Sequence, residues 1–115
     1  MVKDRLYLLE NEFADPDMPG RSFYCRDCIA LNGILAAFPD CGHDLEVIRV
    51  AFPRPRAAVI DAIGVDNQWL PVLVFVGDAP AELADRTHEG THFVTDMPRL
   101  LHALHVRHGF PEAHP

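Results

Sequence analysis

Two cysteines three positions apart, in the run Cys25-Arg26-Asp27-Cys28, are the residues of this chain best suited to carry chemistry. Thiols at this spacing on a helix lie within bridging range and can pass between dithiol and disulfide. Cys-x-x-Cys has several uses, so its place in the chain decides. Here it follows loop chemistry, Asp15-Pro16-Asp17-Met18-Pro19-Gly20, and opens a segment whose apolar residues recur every three or four positions. At a helix start, unpaired backbone N–H groups and the helix dipole favour a negative sulfur on Cys25. Arg26 supports that charge and Asp27 opposes it. Cys28, close to one turn further on, falls on the apolar face. The expected arrangement is one accessible nucleophile and one buried resolving thiol.

The flanking segments set the frame. Leu6 to Leu9 is an apolar run of strand length. Glu10 to Ser22 is a long loop, a feature that in small domains marks function. From Cys25 to Phe38, the positions Cys28, Leu31, Leu35 and Phe38, with Ile34 beside them, predict an amphipathic helix that Pro39 stops. Gly33 inside it costs about 1 kcal/mol against Ala and points to a close backbone contact. Leu45 to Val50 is a second strand, Ala57 to Ile63 a short helix ended by Gly64. Leu70-Pro71 leads into Val72 to Val76, an uninterrupted apolar run that reads as a central strand buried on both faces. Gly77 to Gly90 is turn-rich, Phe93-Val94 an edge strand. Thr95, followed by Asp96 and Pro98, caps a last helix through Leu104, closed by Gly109 and Pro111. The expected fold is α/β: one domain over residues 1–115 with a four-stranded mixed sheet in β-α-β-α-β-β-α order.

Composition narrows the partners. A chain of 115 residues fits one domain. Its 10 Lys and Arg against 17 Asp and Glu give a net charge of -7, which disfavours nucleic acid and anionic membrane surfaces. The run Leu6 to Leu9 ends at Glu10, short of the roughly 7 to 15 apolar residues of a secretory signal. No stretch approaches the roughly 20 apolar residues of a membrane span. With three cysteines, an odd number, the expected compartment is the reducing cytoplasm.

Through Cys25-Arg26-Asp27-Cys28 at the first long helix and Leu70-Pro71 before the third strand, the chain resembles the thioredoxin-like superfamily in its minimal, glutaredoxin-sized form. The wider phrasing also resembles an uncharacterised bacterial family of thioredoxin-like domains: Phe23-Tyr24-Cys25, then Pro53-Arg54-Pro55-Arg56, and a closing His108-Gly109-Phe110-Pro111-Glu112. The resemblance implies a three-layer fold with Pro71 cis and facing the cysteines. It implies that Leu70 turns its N–H and C=O outward, to pair with a peptide or glutathione like an added strand. It places Tyr24 beside the nucleophile, Thr95 and Asp96 where the γ-glutamyl part of glutathione would sit, and Arg54 and Arg56 near its glycine carboxylate. The implied activity is thiol–disulfide exchange, with Cys25 attacking and Cys28 resolving. Its partners are a protein disulfide or a small thiol such as glutathione, with no other cofactor. Arg26-Asp27 stands where thioredoxins and glutaredoxins carry Gly-Pro or Pro-Tyr, Leu70 replaces their Thr, Ile or Val, and the glutaredoxin Gly-Gly pair is absent.

Two other readings use the same residues. One is a non-catalytic binding module that presents the Leu70-Pro71 groove, lined by Gln68 and Trp69, with structural cysteines. The other is a zinc-bound structural domain, since Cys25, Cys28, Cys41 and His43 spell C-x2-C-x12-C-x-H. An intervening helix about 20 Å long separates Cys41 from Cys25, so no metal site is expected and Cys41 reads as a free thiol. His102, His105 and His108 spread around the last helix and, with His88 and His92, are expected at the surface.

Overall fold

The computed structural model describes residues 3–115; Met1 and Val2, included in the expected domain, lie outside the described residues. The apolar run of the amino-terminal segment forms β1 (Asp4–Leu9), in which Leu6 to Leu9 are all buried. A crossover through α1 (Arg26–Ala37) returns the chain to β2 (Leu45–Val50), parallel to β1 with Leu6 opposite Val47. After α2 (Ala57–Ile63), β3 (Val72–Val74) runs antiparallel to β1, with Leu6 opposite Leu73. One turn of 3-10 helix (Ala81–Leu83) precedes β4 (Arg86–His88) and β5 (Thr91–Val94), and α3 (Met97–His108) closes the order.

The sheet therefore has five strands, in the spatial order β2-β1-β3-β5-β4, and not the expected four. The added strand is a turn effect. Arg86-Thr87-His88 has no apolar alternation, but Glu89 and Gly90 both adopt positive φ, 47° and 82°. That geometry suits a two-residue hairpin and pairs His88 with Thr91. Phe93-Val94 is consequently interior: Leu73 faces Val94 on one side and Arg86 faces Phe93 on the other. The third strand is shorter than Val72 to Val76, although the Phe75 N–H still reaches the His92 carbonyl at 2.9 Å. It is central and buried on both faces, as its unbroken apolar run predicts.

Alternation along the strands separates two cores. Leu6, Leu8, Leu73 and Val94 pack with Cys28 and Leu31 of α1 and with Leu100, Ala103 and Leu104 of α3. Tyr7, Val72, Val74 and Phe93 face the other way and are covered by Val59 and Ile63 of α2. Helices thus lie on both faces of the sheet. Burying Val59 and Ile63 contributes about 1.5–3 kcal/mol each, which is what holds so short a helix in place.

Three local expectations are corrected. Gly33 faces solvent, and a Cβ built there would meet nothing within 4 Å, so no close contact explains it. Close approaches occur instead at Gly42, against the Phe110 ring, and at Gly64, where φ is +91° and a Cβ would fall 2.6 Å from the His88 ring. The cap of α3 is Asp96, whose carboxylate accepts the Arg99 N–H at 3.1 Å; Thr95 sits one residue outside.

Candidate functional site

Cys25 is the N-cap of α1, in extended conformation, and its Sγ accepts the Cys28 N–H at 3.3 Å. A cysteine takes the place usually held by Ser, Thr or Asp, so the same sulfur that would react also receives an unpaired helix-start donor. Cys28 is only 2% exposed and packs in the α1–α3 core. Its Sγ accepts the N–H of Leu9, the last residue of β1, at 3.4 Å. Burial pushes the Cys28 thiol up to about 12, the Cys25 sulfur adds to the rise through its hydrogen bond and charge, and the Leu9 N–H opposes it. Cys28 is therefore a protonated thiol at neutral pH. Both cysteines are free, with Cys25 half-buried and Cys28 enclosed behind it.

The long loop before Cys25 is built on aromatic rings. Phe13 and Phe23 exchange backbone hydrogen bonds of 3.0 and 2.8 Å across the loop. The Phe13 ring stacks on Phe52 with centroids 4.6 Å apart and planes 7° from parallel. Above Phe52 lies the Arg56 guanidinium, 5.3 Å from the ring centre. Arg56 is buried. Its Nε and Nη2 donate to the Phe52 carbonyl at 2.9 and 2.6 Å, and its Nη1 donates to the Gln68 carbonyl at 2.7 Å. Its own N–H is received by Gln68 Oε1 at 2.9 Å. Burial, helped by the neighbouring Arg54 charge, lowers the Arg56 pKa from its ordinary value, and the nearby Cys28 and Cys25 sulfurs only partly oppose this. Arg54, by contrast, points to solvent.

Leu70–Pro71 is a cis bond, and so is Arg54–Pro55, which no sequence signal singled out. β3 begins at Val72 opposite Tyr7, so the Leu70–Pro71 segment just before it lies where β1 finishes at Leu9. This segment therefore occupies the same end of the sheet as the Leu9 amide and Cys28. Leu70 is partly buried against both cores, and among the described residues no backbone hydrogen bond of the loops engages its N–H or carbonyl. Tyr24 and Trp69 stand beside the two segments at 62% and 51% exposure, large rings left in water. The Arg86 guanidinium lies 5.5 Å from the centre of the Trp69 ring.

Thr95 and Asp96 continue toward the same end, since β5 finishes at Val94 opposite Leu73, near the start of β3. Their donors are occupied. The Asp85 carboxylate accepts the Thr95 N–H at 3.1 Å, the Thr95 hydroxyl at 3.2 Å and the Asp96 N–H at 2.9 Å.

Cys41 and His43 stand apart from this arrangement. The Cys41 thiol donates to the Gly109 carbonyl at 3.4 Å, beyond the far end of α1. Among the described residues, no three His, Cys, Asp or Glu side chains are grouped so as to hold a metal ion.

One cluster has no precedent in the sequence reading. Asp4, the first residue of β1, is buried and accepts Arg107 Nε at 2.6 Å and Nη2 at 2.9 Å. Its Oδ2 also meets His108 Nε2 at 2.8 Å, while His108 Nδ1 meets Asp44 at 2.8 Å. His108 is only 8% exposed, which corrects its expected surface placement. Burial pulls its pKa down, but the two carboxylates outweigh this and raise it above the ordinary value. Only a charged residue opening the strand hinted at this, and its side-chain partners Arg107 and His108 lie more than a hundred positions away.

A family model described as "Protein of unknown function (DUF3088)" matches residues 3–112. No curated protein and no solved structure matches the chain.

Proposed function

The chain belongs to that DUF3088 family, and we propose that it is a thioredoxin-like thiol–disulfide oxidoreductase acting on protein disulfides. The observation that carries the reading is the asymmetry of the cysteine pair. An accessible sulfur caps the helix and accepts the Cys28 N–H, while the second sulfur is enclosed directly behind it. The order β2-β1-β3-β5, with one parallel and two antiparallel neighbours, supports the fold assignment, β4 being an added edge.

In the first step, the Cys25 thiolate attacks one sulfur of a substrate disulfide. The substrate S–S bond breaks, its other sulfur leaves as a thiolate that takes a proton from solvent, and a mixed disulfide forms. Cys28 stays protonated and silent until then. Part of its high pKa comes from the sulfur of Cys25, and the mixed disulfide removes that charge. Cys28 then loses its proton and attacks the Cys25 sulfur. The second substrate thiolate departs and is protonated, leaving a Cys25–Cys28 disulfide; two electrons have passed to the substrate. A cellular dithiol reductant restores the protein by the reverse exchange.

Protein disulfides fit this site better than glutathione. The unengaged Leu70 main chain and the exposed Tyr24 and Trp69 rings suit an extended peptide. The Thr95–Asp96 donors, which would take a small carboxylate, already hold Asp85. The test is trapping: Cys28→Ser should accumulate a mixed disulfide with a disulfide-containing peptide, and Cys25→Ser should form none. Adducts on neither variant, with wild type inert, would favour a binding module with structural cysteines.

A further inference from the structure

The Arg56 side chain is a buried cation whose three guanidinium nitrogens all bond main-chain carbonyls, two to Phe52 and one to Gln68. It therefore ties the segment after β2 to the segment that runs into Leu70–Pro71. The same Phe52 carries the Phe13 ring, and Phe13 is hydrogen-bonded to Phe23, two residues before Cys25. A continuous line of contacts thus joins the cysteine loop to the Leu70 segment, and Arg56 is its only charged member and its only fork. We propose that Arg56 is the positioning residue that holds the Gln68–Pro71 segment in register with Cys25, and thereby makes the site selective for extended peptide disulfides over small ones. The inference rests on the oxidoreductase reading above. With its nitrogens committed to Phe52 and Gln68, the guanidinium acts on a substrate through the Leu70 main chain.

The physical reason is geometric. A peptide laid along Leu70 needs that segment fixed relative to the attacking sulfur, whereas a small disulfide only needs to reach Cys25. A lysine keeps the charge but is a single point donor and cannot span two carbonyls.

The experiment compares reduced wild type, Arg56→Lys and Arg56→Met in exchange with hydroxyethyl disulfide and with a flexible peptide carrying an internal disulfide. In both variants, KM for the peptide should rise about tenfold with a much smaller change in kcat, and the peptide-to-small-disulfide ratio of kcat/KM should fall by about the same factor. Recovery of the wild-type ratio by Arg56→Lys would show that charge rather than the fork matters and would overturn the proposal. An equal slowing of both substrates would do the same, placing the effect on the cysteines or on the fold. Should neither Arg56 variant fold, Gln68→Ala, which removes the bond from the Arg56 N–H together with the local Gln68 Nε2 bond to the Val65 carbonyl, should move the ratio in the same direction by about threefold; an unchanged ratio would count against the assignment. A wild type inert toward both disulfides would sink the oxidoreductase reading itself. An active wild type with unaltered selectivity in folded variants would sink only the role of Arg56.

Discussion

The Leu9 amide lies 3.4 Å from the Cys28 sulfur, so the last residue of β1 donates to the buried thiol of α1. This bond stabilises negative charge on Cys28 and is outweighed by burial and by the Cys25 sulfur. Masking Cys25 should therefore lower the Cys28 pKa from about 12. Ultraviolet thiolate titration of Cys25→Ala would show the midpoint moving down; an unmoved midpoint would mean that the two sulfurs do not communicate.

Accessibility predicts an order of reaction. Iodoacetamide at neutral pH should modify Cys25 well before Cys28, which is enclosed and protonated. Peptide mapping by mass spectrometry after brief labelling reads the order directly. Mild oxidation should join Cys25 to Cys28, and recovery of a Cys41 disulfide instead would contradict the assignment.

The Asp4 cluster gives stability a dependence on pH with two limbs. Burial pushes the Asp4 carboxyl up, but bonds from His108, Arg107 and the Val76 N–H outweigh it and hold it well below the usual carboxylate range. Its contribution is full above its unfolded value, about pH 4, and is lost as pH falls toward the folded value. His108 is raised, so its contribution is full below its unfolded value of about 6.5 and fades as pH rises through the folded one. Urea melts across pH should show maximal stability between these limbs. Asp4→Asn, which leaves the buried His108 and the Arg107 charge without their shared carboxylate, should cost about 3–5 kcal/mol and flatten both limbs.

Two glycines should respond in opposite senses to alanine. Gly33→Ala, on an exposed helix turn with open space, should stabilise by about 0.5–1 kcal/mol. Gly64→Ala, at positive φ and against the His88 ring, should cost about 1–3 kcal/mol and loosen the β4–β5 hairpin. Thermal melts of the two variants check both signs.

Removing Asp85 should free the donors at the start of α3. Asp85→Ala should lower stability by about 0.5–1.5 kcal/mol, reflecting the lost bonds to the Thr95 and Asp96 amides, which water then meets. It should also raise the rate with glutathione disulfide relative to wild type. A rate left unchanged in the folded variant would show that these amides take no part in substrate choice.

Most of the frame was legible because it rests on local pattern. The β2 span Leu45–Val50 and the α2 span Ala57–Ile63 follow from β-branched content and from Gly64. Cys25 and Cys28 were placed by helix periodicity, a signal that does not depend on distant residues. What escaped depends on contacts far apart in the chain or on backbone conformation. Arg86-Thr87-His88 became a strand through the Glu89-Gly90 turn. Nothing near Asp4 announces Arg107 or His108. Arg54 and Arg56 look equivalent in sequence, and only folding separates a solvated side chain from a buried clamp.

The same hairpin has a consequence for one of the two edges of the sheet, the edge opposite β2. An edge strand offers a row of unsatisfied N–H and C=O groups on which a stranger's strand can grow into an aggregate. Here the boundary of the sheet beyond β5 is only Arg86–His88, roughly 10 Å of backbone. It carries an arginine at one end and a tight turn at the other. So short and cationic an edge gives incoming strands little to extend, and it shields Thr91–Val94, whose apolar Phe93-Val94 would otherwise be the exposed template.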